Sequence, residues 1–210
     1  MKAKLWWAPL AVDQGTDLLK RDPNILLRRK DNSPQYITYW DSYYMSPTYQ
    51  GTINHTKEVL NMFINEWGYD GLKMDGQHLN AVAPDYSFRR HNAGTPEEAN
   101  EKLPEFYKMI KEEVTGIKPD AVLQIYPCGC AMSFYTIPEM NQAVDSDHTS
   151  SAQNRQKCKT YKAINPQLAY YSDHVELTDG GNDFASQVGV GGVLGTKFTW
   201  PENKKTAKPN

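Results

Sequence analysis

The sequence has few cysteines, no long apolar run and almost no net charge. Only three cysteines occur in 210 residues, two of them in Cys128-Gly129-Cys130, an odd set too sparse for a disulfide scaffold. A lone Cys-x-Cys is also a poor zinc signature, so all three are read as free thiols. No stretch approaches the ~20 apolar residues that span a bilayer, which argues against a membrane partner. The opening Met-Lys-Ala-Lys-Leu-Trp-Trp-Ala-Pro lacks the apolar core of a signal peptide. Because the true N-terminus is expected to be missing, the compartment stays open between cytoplasm and periplasm or exterior. A formal charge of -2, with basic residues scattered or in short groups such as Arg28-Arg29-Lys30, gives no field that would gather nucleic acid. No glycine-rich phosphate cradle follows the first strand; Gly189-Val190-Gly191-Gly192 comes late and precedes a strand. The partner these absences leave is small and uncharged, and no cofactor is called for.

What is present is alternation. Short β-type runs, read at Lys4 to Ala11, Gly71 to Met74, Val122 to Tyr126, Ala143 to Ser146, Leu168 to Ser172 and Gly192 to Phe198, are separated by helical patterns, as in parallel βα units. Val59, Leu60, Phe63, Ile64 and Trp67 recur at helical spacing before the stop at Gly68. Thr95-Pro96-Glu97-Glu98 reads as a capping box leading to Phe106, Tyr107, Ile110 and Val114, with Pro104 expected to break or restart the helix. A third helix is expected from Ala152 to Ile164. An open doubly wound sheet and most of a closed barrel both fit this order. Polar residues favour the barrel, since they recur at the C-terminal ends of the strands: Lys73 and Asp75, Cys128, Asp145 and Asp147, then Asp173 and His174. A barrel gathers such ends on one rim. The expected fold is α/β, a (β/α)₈ TIM barrel that is incomplete, with strands three to eight present and the first two missing. Residues 1–200 would form the partial catalytic barrel and 201–210 a polar tail marking a truncation point. Unpaired barrel edges would then leave the isolated chain poorly stable.

Two carboxylates on separate strands carry the chemistry. In Lys73-Met74-Asp75-Gly76, strand alternation puts Lys73 and Asp75 on one side, where a lysine favours an ionised carboxylate and Gly76 permits a sharp turn under a ligand. A surface Lys-Asp pair ending a strand is the plainer alternative. In Asp145-Ser146-Asp147-His148 the two aspartates also share a face, so repulsion and burial could keep one protonated as an acid. Cleavage of a glycosidic bond with retention needs such a pair, one ionised and one protonated. Tyrosines and tryptophans, Trp40 among them, cluster between Tyr36 and Tyr49 and suit the C–H faces of sugars, although rings also fill cores. A metal held by Asp147, His148, Asp173 and His174 is a rival reading. Adjacent strand residues point to opposite faces, however, which makes Asp147 and His148 poor joint ligands.

These motifs resemble the melibiase-type α-galactosidases of glycoside hydrolase family 36 and their raffinose-synthase-like relatives. Leu5-Trp6-Trp7-Ala8-Pro9 is similar to the family's third strand, Gly68 to Asp75 to its Lys-x-Asp nucleophile motif, and Ser146-Asp147-His148 to the Ser-Asp motif of its acid/base. Asp22-Pro23-Asn24, Gln77, Cys128-Gly129-Cys130 and His174-Val175 match more loosely. The resemblance implies a retaining, exo-acting enzyme on terminal α-galactosyl groups, with Asp75 as nucleophile and Asp147 as acid/base. Lys73 would contact galactose hydroxyls, Cys128 and Gly129 would line the pocket near the 2-hydroxyl, and Arg155 and His174 would complete the sugar site. The second-strand motif that reads the 4- and 6-hydroxyls is not in this chain. An α-galactosyl transferase, a metal-dependent TIM-barrel hydrolase and a non-catalytic sugar-binding barrel stand as the other readings, and an oligomer is allowed for the full-length enzyme.

Overall fold

The computed structural model describes residues 1–76, 84–87, 94–125, 137–145, 151–172 and 188–193. The chain divides into two compact units, Met1–Ala121 and Val122–Asn210, and each is built from parallel strands with helices between them.

The first unit opens on β1 (Lys4–Trp7). The backbone then leaves the strand: Pro9 and Leu10 form a turn, with Ala11 N–H returning to the Ala8 carbonyl at 3.1 Å. The expected single strand from Lys4 to Ala11 is therefore two. Its second half is β2 (Ala11–Asp13), which joins β3 (Tyr36–Ile37) and β4 (Ser42–Tyr44) in a small antiparallel sheet of order β2-β4-β3. The short helix α1 (Asp17–Arg21) and a 3₁₀ turn at Pro23–Ile25 lie between β2 and β3. Asp22 caps that turn by accepting from Asn24 N–H at 3.1 Å, and the proline after it suits a first helical position. Periodicity does not reveal β3 and β4, because two- and three-residue strands are too short to show alternation.

Helix α2 (Gln50–Asn61) buries Thr52, Thr56 and Leu60 at intervals of four and continues as a single π-helical turn over Met62–Glu66. The extra residue of such a turn rotates the residues beyond it about the helix axis. Trp67, expected on the apolar stripe, is consequently 56% exposed, while Phe63 packs edge-on against Trp7, ring centroids 5.7 Å apart. Gly68, at φ +73°, ends the helix as expected. The chain then enters β5 (Gly71–Met74), parallel to β1 in the register Lys4↔Gly71 to Trp7↔Met74. The ladder extends at both ends, through Asp70 N–H to the Ala3 carbonyl (2.8 Å) and Asp75 N–H to the Trp7 carbonyl (2.9 Å).

Helix α3 (Glu98–Glu101) has Glu97, not Thr95, at its N-cap position, and the Glu97 side chain makes no capping bond. The return half of the expected box is present, since the Glu98 carboxylate accepts from the backbone N–H groups of Gly94 and Thr95. Helix α4 (Leu103–Ile117) restarts with Pro104 in its first turn and buries Phe106, Tyr107, Ile110 and Val114, as the proline and the periodicity predict. At its end Lys118 Nζ binds Asp70 Oδ1 at 2.6 Å, joining the helix terminus to the foot of β5.

In the second unit β6 (Val122–Ile125), β7 (Gln142–Asp145) and β8 (Ala169–Ser172) are parallel neighbours, with α5 (Ser151–Ile164) between β7 and β8. Ala143 and Val144 are both fully buried, so β7 is covered on both faces, as strands of parallel sheets are. Helix α5 packs Tyr161 on Tyr170, centroids 5.6 Å apart, and Asn154 Nδ2 donates to the Tyr170 hydroxyl at 3.2 Å. A parallel bridge from Tyr171 to Val193 falls at the start of the strand expected from Gly192 to Phe198, whose remainder lies outside the described residues.

Candidate active site

The described part of the site is built where β1 and β5 end. Leu72 and Met74 are fully buried on one face of β5, and Trp7, paired with Met74, turns toward Phe63. Alternation gives the opposite face to Lys73, to Trp6, its register partner, and to Asp75. That face carries the polar and exposed groups: Trp6 is 51% exposed and Lys73 half-buried.

Asp75 is 9% exposed, and each of its carboxylate oxygens has a fixed donor. The Trp6 indole Nε1–H donates to Oδ2 at 3.0 Å, and the Gly76 backbone N–H donates to Oδ1 at 2.6 Å. Gly76 sits at φ +93°, a region that disfavours any side chain. An added β-carbon there would meet the Trp40 ring at 3.0 Å. Trp40 also meets Trp6 edge-on, centroids 5.9 Å apart. One ring thus braces both carriers of the Asp75 donors. The Tyr44 hydroxyl donates to the Gly76 carbonyl at 3.4 Å, and burial pushes this phenol well above its ordinary range.

Trp40 and Tyr44 come from the antiparallel insertion, which follows the C-terminal end of β1, the end at which barrels carry their chemistry. The insertion is held by local bonds. The Tyr36 hydroxyl and Gln14 Nε2 both donate to Asp41 Oδ1, and the Asp41 carboxylate pushes the Tyr36 phenol up. The buried Asp85 fastens the segment after β5 to the insertion: its Oδ1 accepts from Arg28 N–H (3.1 Å), Ser87 N–H (3.0 Å) and Ser87 Oγ (2.6 Å).

Of the site residues expected from sequence, Lys73, Asp75 and Trp40 belong to this one unit, and Asp75 is tied to Trp40 through Trp6 and Gly76. Arg155 lies half-buried on α5 in the second unit. Asp147, Cys128, Gly129 and His174 lie outside the described residues, as do His148 and Asp173 of the rival metal set. Among the described residues no group of three or more potential metal ligands comes together. Of the cysteines, Cys158 is described; it is buried and in no disulfide, and its thiol donates to the Val190 carbonyl at 3.5 Å. Trp6 and Tyr44 join the site from the structure alone. A signal for Trp6 exists in Leu5-Trp6-Trp7, where alternation puts one of two adjacent rings on the sheet face that bears Asp75.

A parallel βα arrangement with a buried carboxylate at a strand end defines the class, an α/β protein of the partial (β/α)₈-barrel kind. No family model matches the chain. A curated relative, the A type blood alpha-D-galactosamine galactosaminidase of Flavonifractor plautii, is 30% identical over 205 residues, 92% of this chain and 18% of that protein. The GH36 α-galactosidase AgaA of Geobacillus stearothermophilus superposes with a TM-score of 0.69 at 14% identity, over 98% of this chain and 29% of that one. Variants of that enzyme are solved with stachyose and with raffinose. A β-galactosidase of Halorubrum lacusprofundi gives a TM-score of 0.72 at 8% identity, over 97% of this chain and 43% of that one, a likeness of fold alone. The fold is that of the glycoside hydrolase family 36 α-galactosidase barrels, and the sequence is similar to the curated galactosaminidase. It spans about a fifth of the length of the curated relative.

Proposed function

We propose that residues 1–200 are barrel sequence of a retaining exo-glycosidase that removes terminal α-galactosyl-type residues, with Asp75 as nucleophile and Asp147 as general acid/base. The observation that carries this reading is the Asp75 carboxylate, fixed by two donors at a strand end under an aromatic wall. A carboxylate so held is oriented before substrate arrives, which is the condition for an efficient attack on the anomeric carbon. In the first step an Asp75 oxygen bonds to that carbon while the glycosidic C–O bond breaks, and Asp147 gives its proton to the leaving oxygen. In the second, water attacks the same carbon, its proton passes to Asp147, and the carboxylate departs with its electron pair. The chemistry needs no cofactor.

Lys73, Cys128, Gly129, Arg155 and His174 would contact the sugar hydroxyls and Trp40 its apolar face. The curated relative is named for galactosamine, so sugars with a hydroxyl and with an amine at C2 are tested side by side. The full-length polypeptide should be assayed with p-nitrophenyl α-galactoside and p-nitrophenyl α-galactosaminide, with proton NMR of the first-formed sugar. Release from either substrate with the α anomer appearing first supports the proposal. A β anomer appearing first contradicts it, and activity lost to EDTA and regained with metal would favour the metal-dependent hydrolase.

A further inference from the structure

Among the donors that reach the Asp75 carboxylate are two of different kinds. Gly76 N–H belongs to the backbone and is fixed by the chain's own turn. The Trp6 indole is a side chain, half exposed, on the neighbouring strand, and its ring is steadied by Trp40. The register Trp6↔Lys73 sets the indole one step behind the end of the ladder, from which its Nε1 reaches forward to Oδ2 at 3.0 Å. A core tryptophan would bury its ring; this one leaves half its surface exposed and directs its polar atom at a carboxylate.

Resting on the proposed function, we infer that Trp6 is a positioning residue for the nucleophile, acting mainly on the second half of the reaction. In glycosylation the carboxylate spends charge to form the bond, so a donor on it helps orientation but gains nothing in strength. In deglycosylation water attacks the anomeric carbon, the bond from that carbon to the Asp75 oxygen breaks, and the electron pair returns to the carboxylate. A donor already aimed at that carboxylate meets the charge as it develops, without reorganisation. Loss of the indole N–H therefore slows departure of the carboxylate more than its attack.

The test uses the full-length polypeptide and Trp6→Phe, which keeps a ring against Trp40 and removes the N–H. The substrate is the dinitrophenyl glycoside of whichever sugar the wild type cleaves, a leaving group good enough that hydrolysis of the intermediate limits turnover. The expected result is a fall in kcat of about tenfold, the size of one hydrogen bond to a charged group, with a parallel fall in KM as the glycosyl-enzyme accumulates. Intact-protein mass spectrometry should show the variant carrying the added sugar at steady state. A variant that merely folds less well loses kcat with KM unchanged, because KM does not depend on the amount of active enzyme. Unchanged KM with lower kcat, or no change in either, overturns the inference. A wild type that cleaves neither sugar overturns instead the functional reading beneath it.

Discussion

Gly76→Ala should destabilise the first unit and loosen the candidate nucleophile. At φ +93° a β-carbon costs about 1–2 kcal/mol in backbone energy. The new methyl would also lie 3.0 and 3.1 Å from two carbons of Trp40, overpacking that costs about 1–3 kcal/mol in a filled site. Together these give a loss of about 2–5 kcal/mol. Gly68 separates the two contributions: its φ is +73°, yet nothing lies within 4 Å of its added β-carbon, so Gly68→Ala should show the backbone cost alone. Urea titration followed by hydrogen–deuterium exchange of the β1 and β5 peptides reports this unit specifically. With a slope of about 2 kcal/mol per molar, Gly76→Ala should move the midpoint down by about 1–2.5 M, and further than Gly68→Ala does. Equal losses in the two variants would refute the contact with Trp40, and an unshifted Gly76→Ala would refute the backbone geometry at the end of β5.

Acid should loosen the same unit. The Lys118 ammonium bonded to Asp70, with help from Ala3 N–H, holds the Asp70 carboxyl below its ordinary value. Its stabilising contribution is therefore complete above the unfolded value of about 3.9 and is lost as pH falls through the lower folded value. Urea midpoints of wild type should fall below about pH 4 by more than those of Asp70→Asn. Leu60, fully buried on α2, should cost about 2–5 kcal/mol when cut to alanine, measured by the same titration. Asp147→Ala should fail on sugar leaving groups while still forming the glycosyl-enzyme from dinitrophenyl substrates, and azide should then give the α-glycosyl azide by NMR.

The parts of the fold legible in sequence are those with long periodic signals. The 15-residue α4 announces itself through Phe106, Tyr107, Ile110 and Val114, and β5 through an apolar run ending in Lys73-Met74-Asp75. The antiparallel insertion does not, since its strands of two and three residues are set by cross-strand bonds and by a contact from Asp85 that is distant in sequence. The π turn after Asn61 is equally silent, because Met62 to Trp67 reads as ordinary helix and only the exposure of Trp67 reveals the added residue. At the site, the Lys-x-Asp motif points to Asp75 directly. The reach of Trp6 from a strand 69 residues away depends on β1–β5 register, which motif spacing does not encode.

Covalent labelling tests the assignment of Asp75 most directly. The full-length polypeptide would be incubated with a 5-fluoro-α-galactosyl fluoride, or its 2-amino analogue if the galactosaminide proves the better substrate. Fluorine slows both steps while the fluoride leaving group favours the first, so the glycosyl-enzyme is trapped. Peptide mass spectrometry should find one sugar on the peptide containing Asp75, and Asp75→Ala should take up none. A sugar attached to another residue, or turnover undiminished in Asp75→Ala, would contradict the account.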